Sequence, residues 1–155
     1  LAGLAVILFV VEAQVPRPLP WMKLGLGNVA VVLALFANGG RSALAVSAIK
    51  IAVGGLLTGS FGGPAFVIGG GAGFASVAAM IAVRSSTKQL FSPIGISVTG
   101  ALVHQSSQLA LAYLYLEATG LIALLPLFLL SGLISGVLTG FLVFWVIAKL
   151  AVVLR

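Results

Sequence analysis

The chain has 155 residues, 61% of them hydrophobic and 6% charged, with a formal net charge of +6, a mean hydropathy of +1.30 and no cysteine. A soluble domain carries about 25% charged residues, so this chain has too little polar surface to cover a water-soluble globule. That excludes a soluble enzyme, a disordered tail and a nucleic-acid-binding module. The basic residues stand singly between apolar runs, which is the pattern of membrane topology signals rather than of a phosphate-gripping patch.

At about 20 apolar residues per membrane-spanning helix, the chain is long enough for six or seven spans at most, and almost nothing is left over. The first apolar run, Leu1 to Val11, is closed by Glu12 and the cluster Pro16-Arg17-Pro18-Leu19-Pro20. It is too short to span unaided and has no basic residues ahead of it, so it is read as the end of a first helix that begins before Leu1. A second run extends from Leu24 to Asn38. The third, Ser42 to Leu57, contains Lys50 and ends in Thr58-Gly59-Ser60-Phe61-Gly62-Gly63-Pro64. The fourth covers Ala65 to Val83 and leads into the hydrophilic loop Arg84-Ser85-Ser86-Thr87-Lys88-Gln89.

The fifth run, Pro93 to Ala118, is the most polar, with His104, Gln105, Ser106, Ser107 and Gln108 at its middle and Glu117 near its end. The sixth, Leu121 to Leu150, is long enough to span with tilt or with a break at Pro126. Runs of this length are helices, and the alternating segments of about 10 residues that a β-barrel needs are missing. The expectation is an all-α, polytopic membrane protein: one integral domain over 1–155, folded as a bundle of six transmembrane helices. With the N-terminus in the cytoplasm, the inner ends carry Arg41, Arg84, Lys88, Lys149 and Arg155, while the outer ends carry Arg17 and Lys23. The positive-inside rule favours this orientation, with both termini cytoplasmic.

Small residues recur every four positions through Ser131-Gly132-Leu133-Ile134-Ser135-Gly136-Val137-Leu138-Thr139-Gly140. This is a helix-contact signal, compatible with packing inside the bundle or against another subunit. Gly69, Gly70, Gly71 and Gly73 are not followed by the Lys-Ser/Thr of a phosphate-binding loop and are read as a close crossing or a local helix break.

A charged side chain at mid-bilayer costs about 2.5–3.5 kcal/mol on insertion scales, so Lys50, half way along the third run, needs a reason. One is an anion site. Others are that Lys50 is neutral, snorkels, or pairs with Glu12 or Glu117, the two carboxylates of the chain. His104 and Gln108 share a helical face, with Gln105 beside them, and suit either interhelical hydrogen bonds or ligand contact. One His, no Cys and two distant Glu are too few for a metal site. With no Asp in the chain, neither hydrolytic chemistry nor a carboxylate-rich Mg²⁺-diphosphate site can be assembled from it, and no cofactor is expected. Trp21 suits the membrane interface, and Lys23 at the start of the second helix makes a positive, donor-rich spot. Convergence of Arg17, Lys23, Lys50 and His104 would form a cationic pocket toward the outer face, walled in part by Phe61 and Phe66. Such a pocket suits an anionic or amphipathic small molecule.

Several segments together resemble the bacterial Gx transporter family, whose members are often described as heptaprenyl diphosphate synthase component I. These are Lys23-Leu24-Gly25-Leu26-Gly27-Asn28, Ile49-Lys50-Ile51 to Gly55-Leu56-Leu57, the glycine-rich fourth run, Gly100 to Leu109, and Leu130-Ser131-Gly132-Leu133-Ile134-Ser135-Gly136. The likeness covers about Pro20 to Lys149. That family is similar to the substrate-binding S components of energy-coupling-factor (ECF) transporters, which implies six helices, cytoplasmic termini and a ligand pocket near the outer face. The resemblance implies that Lys23 and Asn28 match the motif after the first outer loop and that Lys50 stands at a basic position. It also implies that His104 and Gln108 match a His-Asn-x-x-Gln pattern, with Gln105 in place of the Asn.

The function expected is that of a substrate-capture subunit in the bacterial inner membrane, taking up a small anionic or amphipathic molecule. It would be non-enzymatic and powered by a membrane coupling subunit with ATPases, because the chain itself has no nucleotide-binding motif. A membrane or accessory component of a polyprenyl diphosphate synthase, and a structural subunit of a larger complex, are the alternatives. A Cys introduced at Ser86 should react with thiol reagents from the cytoplasmic side only; labelling from outside would reverse the topology.

Overall fold

A computed structural model of the chain describes residues 1–16, 24–87 and 90–153. All regular structure within them is helical: α1 (Ala2–Gln14), α2 (Leu26–Asn38), α3 (Gly40–Leu57), α4 (Pro64–Ser86), α5 (Pro93–Leu116), a 3₁₀ helix (Thr119–Leu124) and α6 (Leu125–Val153). The apolar runs therefore become helices close to the expected limits. Short connections place successive helices side by side and antiparallel. The tightest is Gly39 alone, between α2 and α3, at φ 85° and ψ −176°, a backbone conformation that a residue with a Cβ adopts only under strain.

Three details refine the sequence reading. Glu12 does not end the first helix; α1 continues to Gln14 and buries Glu12. The glycine-rich stretch does not break α4, which runs unbroken through Gly69 to Gly73. The last run is interrupted before Pro126 rather than at it, because the 3₁₀ turn precedes α6 and Pro126 falls in the first turn of α6, where its missing N–H has no intrahelical role.

The organising element is α2. Its residues Val29 to Leu35 are all buried, and it touches α1, α3, α5 and α6. A helix apolar on every side belongs in the centre of a bundle. At 13 residues α2 is about 20 Å long, short of a hydrocarbon core about 30 Å thick. Enclosure by other helices makes this length tolerable, since non-helical backbone at membrane depth must be buried in protein or line a cavity. The second half of α2 forms a dry core with Ala43 and Val46 of α3, Val77 and Met80 of α4, Ile96 of α5 and Val143 of α6. The bundle is thus filled by apolar side chains at the end where Arg41, Arg84 and Lys149 lie. Arg84 stacks over the ring of Phe36 there, 3.8 Å from its centroid.

The small-residue stripe of α6 is an internal contact. Phe128, Ser131, Gly132, Ser135, Gly136, Thr139, Gly140 and Val143 are buried, while Leu133, Ile134, Val137, Leu138, Phe141 and Leu142 are exposed. A Cβ on Gly136 would lie 2.7 Å from Val98 Cα, and one on Gly140 would lie 2.5 Å from Ile94 Cα, so the backbones of α5 and α6 meet directly. In α4, Gly70 and Gly73 face Ile51 of α3, and Gly71 faces Leu111 of α5. Among the described residues, three stretches are long and apolar enough to cross a membrane: α3, α4 and Gly120–Leu150. Large apolar side chains cover their outer faces, an exterior suited to hydrocarbon.

Gly140→Leu should force α5 and α6 apart and destabilise the protein by about 3 kcal/mol, the upper range for overpacking. Gly69→Ala, whose added Cβ meets nothing within 4 Å, should be neutral or stabilising by up to about 1 kcal/mol. Thermal unfolding in detergent checks both.

Candidate ligand-binding site

The half of the bundle opposite the dry core contains a cavity of about 350 Å³. Each of the six α-helices contributes to its wall: Phe9 and Glu12 from α1, Asn28 from α2, Lys50 from α3, Phe66 and Gly69 from α4, His104, Gln105 and Gln108 from α5, and Ser135 from α6. On α4, Ala65 and Gly69 keep the wall low, and a Cβ on Gly69 would meet nothing within 4 Å.

Lys50 is 6% exposed, and its ammonium donates to Asn28 Oδ1 at 2.6 Å. The motif Lys23-Leu24-Gly25-Leu26-Gly27-Asn28 acquires a physical meaning from this bond. Gly25, at φ 80°, is the N-cap of α2. Gly27 lets the lysine stem pass, since a Cβ there would sit 3.2 Å from Lys50 Cδ and from Phe9 Cβ. Asn28 supplies the acceptor. Asn28 carries no charge, so the bond orients the ammonium without neutralising it.

Two aromatic rings seat on consecutive glycines of α3. A Cβ on Gly54 would be 2.5 Å from Phe9 Cδ1, and one on Gly55 would be 2.8 Å from Phe66 Cδ2. Phe66 lines the cavity. Phe61 stands behind it with ring centroids 4.7 Å apart and the planes tilted by 50°, so only one of the two expected aromatic walls faces the space.

On α5, Gln105 is 4% exposed, and its Nε2 donates to Ser131 Oγ at 2.9 Å; that hydroxyl donates in turn to the Phe128 carbonyl at 2.8 Å. The chain of donors fixes the amide orientation and leaves Gln105 Oε1 as a buried acceptor with no hydrogen-bond partner among the described residues. His104 and Gln108 lie one turn apart on the same wall, both partly buried.

The structure therefore brings together Asn28, Lys50, His104, Gln105 and Gln108. Arg17 and Lys23, the other two expected contacts, lie outside the described residues, as does Trp21. Three residues of the wall escaped the sequence reading. Glu12 looked like the end of a run, although an acid after eleven residues with no charge was a signal in itself. Ser135 was absorbed into the packing stripe, and Phe9 is one apolar residue among many. Glu12 is 6% exposed, and its Oε1 accepts from Gly25 N–H at 2.7 Å. It thereby satisfies non-helical backbone at the start of α2. The Thr139 hydroxyl approaches the carbonyls of Leu24 and Gly25 at 3.4 and 3.5 Å from the other side. Glu117, by contrast, is exposed at the C-cap of α5 with φ 52°, away from the cavity wall, so the two carboxylates of the chain do not form a pair.

These features define an all-helical bundle with an apolar exterior and a polar internal cavity of small-molecule size. The chain belongs to the heptaprenyl diphosphate synthase component I family, whose model matches residues 1–145. Comparison with curated proteins and with solved structures gives no match.

Asn28→Ala removes the acceptor of a buried charged donor and should cost about 1.5–3 kcal/mol of stability. Asn28→Asp keeps an acceptor near the positive end of α2 and should unfold close to the wild-type temperature. Equal losses in the two variants would show that the Lys50 bond contributes nothing.

Proposed function

We propose that the protein is a membrane-embedded substrate-binding subunit of an ECF-type uptake transporter, with six spans and both termini in the cytoplasm of a bacterial inner membrane. The observation that carries this is the cavity around Lys50. A buried lysine whose ammonium donates to Asn28 at the edge of a space lined by all six α-helices is costly as mere architecture and useful as a ligand contact. Ligand pockets typically measure about 300–1,000 Å³ and combine apolar walls with a few placed polar groups, as this one does. The cavity lies in the half of the bundle opposite Arg41, Arg84 and Lys149, so the positive-inside rule turns it toward the outside. Transport would then need a membrane coupling subunit and ATPases, which would reorient the loaded bundle.

The family description favours a second reading, a membrane component of heptaprenyl diphosphate synthase. Size and chemistry weigh against catalysis in this cavity. At about 350 Å³ the cavity lies near the lower end of the range for small-molecule pockets, a poor match for a chain of seven five-carbon units with a diphosphate. A single carboxylate, Glu12, lines it, where Mg²⁺-diphosphate sites use several oxygen ligands. An accessory role beside a catalytic partner remains compatible with the fold.

Lys50→Met should leave the bundle folded and weaken binding of the ligand co-purified with the wild type by about 10- to 100-fold, the value of a charged hydrogen bond. Native mass spectrometry of the two proteins reads this out, and unchanged occupancy would remove Lys50 from the site. The purified chain incubated with allylic and homoallylic diphosphates and Mg²⁺ should make no polyprenyl product; robust product formation would establish the synthase reading instead.

A further inference from the structure

We infer that Glu12 is a ligand contact and that the ligand is a small zwitterion, carrying an ammonium or other N–H group as well as an anionic one. The inference rests on the binding function proposed for the cavity and adds the chemical class of its occupant. Three observations carry it. Glu12 and Lys50, both 6% exposed, line the same space, so the wall presents a carboxylate as well as an ammonium. Among the described residues, Glu12 makes no ion pair, and its one hydrogen bond is from Gly25 N–H to Oε1, leaving Oε2 without a donor. Gln108 of α5 and Ser135 of α6, which line the same space, offer further side-chain oxygen acceptors.

An ionised carboxylate has about four lone-pair sites. One backbone N–H and the positive end of α2 stabilise part of that charge; the remainder calls for a donor or a cation in the cavity. A purely anionic occupant of this space would face Lys50 favourably and Glu12 unfavourably. A molecule with its anionic group toward Lys50 and its N–H groups toward Glu12 Oε2 meets both charges of the wall with their complements. The apolar faces of Phe9 and Phe66 are left for its carbon skeleton. The anionic ligand expected from the basic residues alone is thereby narrowed.

The test uses the full chain, purified in detergent as wild type, Glu12→Gln, Lys50→Met and Gly69→Leu. Gly69 lines the cavity and has open space at its Cβ, so leucine there fills the space. Glu12→Gln keeps an oxygen for Gly25 N–H while removing the charge. Each protein is incubated with a small-molecule extract of bacterial cells and separated by gel filtration, and the retained compounds are identified by mass spectrometry. The expected result is a compound with both an acidic and an N–H-bearing group, retained by the wild type and reduced at least tenfold in all three variants. A retained compound with no N–H or ammonium group, or one held within twofold by Glu12→Gln, overturns the assignment while leaving the cavity a binding site. Retention by the wild type no greater than by Lys50→Met and Gly69→Leu overturns both. Should Glu12→Gln fail to fold, judged by its thermal transition, the composition of the compound held by the wild type decides.

Discussion

Lys50 donates to Asn28 in the middle of a bundle with an apolar exterior, and much of the architecture follows from what that bond requires. An ammonium cannot be left facing lipid tails, so α3 must turn Lys50 inward, and a neighbouring helix must bring an acceptor to the same depth. The start of α2 does this. It can do so only because Gly27 leaves a passage for the lysine stem and because Glu12 and Thr139 deal with the non-helical backbone around Gly25. The relative placement of α1, α2, α3 and α6 at this level is therefore set by hydrogen-bond supply as much as by packing.

The two halves of the bundle obey different rules. Around the second half of α2, apolar side chains from five helices close into a dry core, and the helices are held by contact area and by the close approach of glycine to backbone. Around its first half, small residues on α4 leave a space, and the polar residues of α1, α2, α3 and α5 turn into it. The filled half supplies a frame, and the open half supplies a cavity in which Lys50, Glu12 and Gln105 are held by hydrogen bonds. Membership of the heptaprenyl diphosphate synthase component I family is compatible with the ligand-binding role proposed for that cavity, since a component need not contain the catalytic groups of the whole.

Glycine illustrates how far the residues could be interpreted without coordinates. The four-residue spacing from Ser131 to Gly140 announced a helix contact, and the contact exists, but whether it was internal depended on where α5 came to lie. The cluster Gly69 to Gly73 suggested either a crossing or a break; Ile51 and Leu111, distant in sequence, fill the notches and make it a crossing. Asn28, Lys50, His104, Gln105 and Gln108 stood out because polar groups are expensive in lipid. Glu12 did not, because a helix of 13 residues ending in polar positions looks from its sequence like one that has already left the membrane.

By itself the sequence determined the helical character, the approximate limits of the helices and the apolar nature of their exterior, because these depend on composition and run length and on nothing remote. It also singled out the buried lysine and the polar stretch of α5. Tertiary structure decided which polar groups meet. That Lys50 reaches Asn28, that Glu12 shares its cavity, and that Phe66 lines the space while Phe61 stands behind it all depend on the depth and rotation of helices packed against one another. Those quantities come from many weak side-chain contacts summed over the whole bundle, and no local pattern in the chain encodes them.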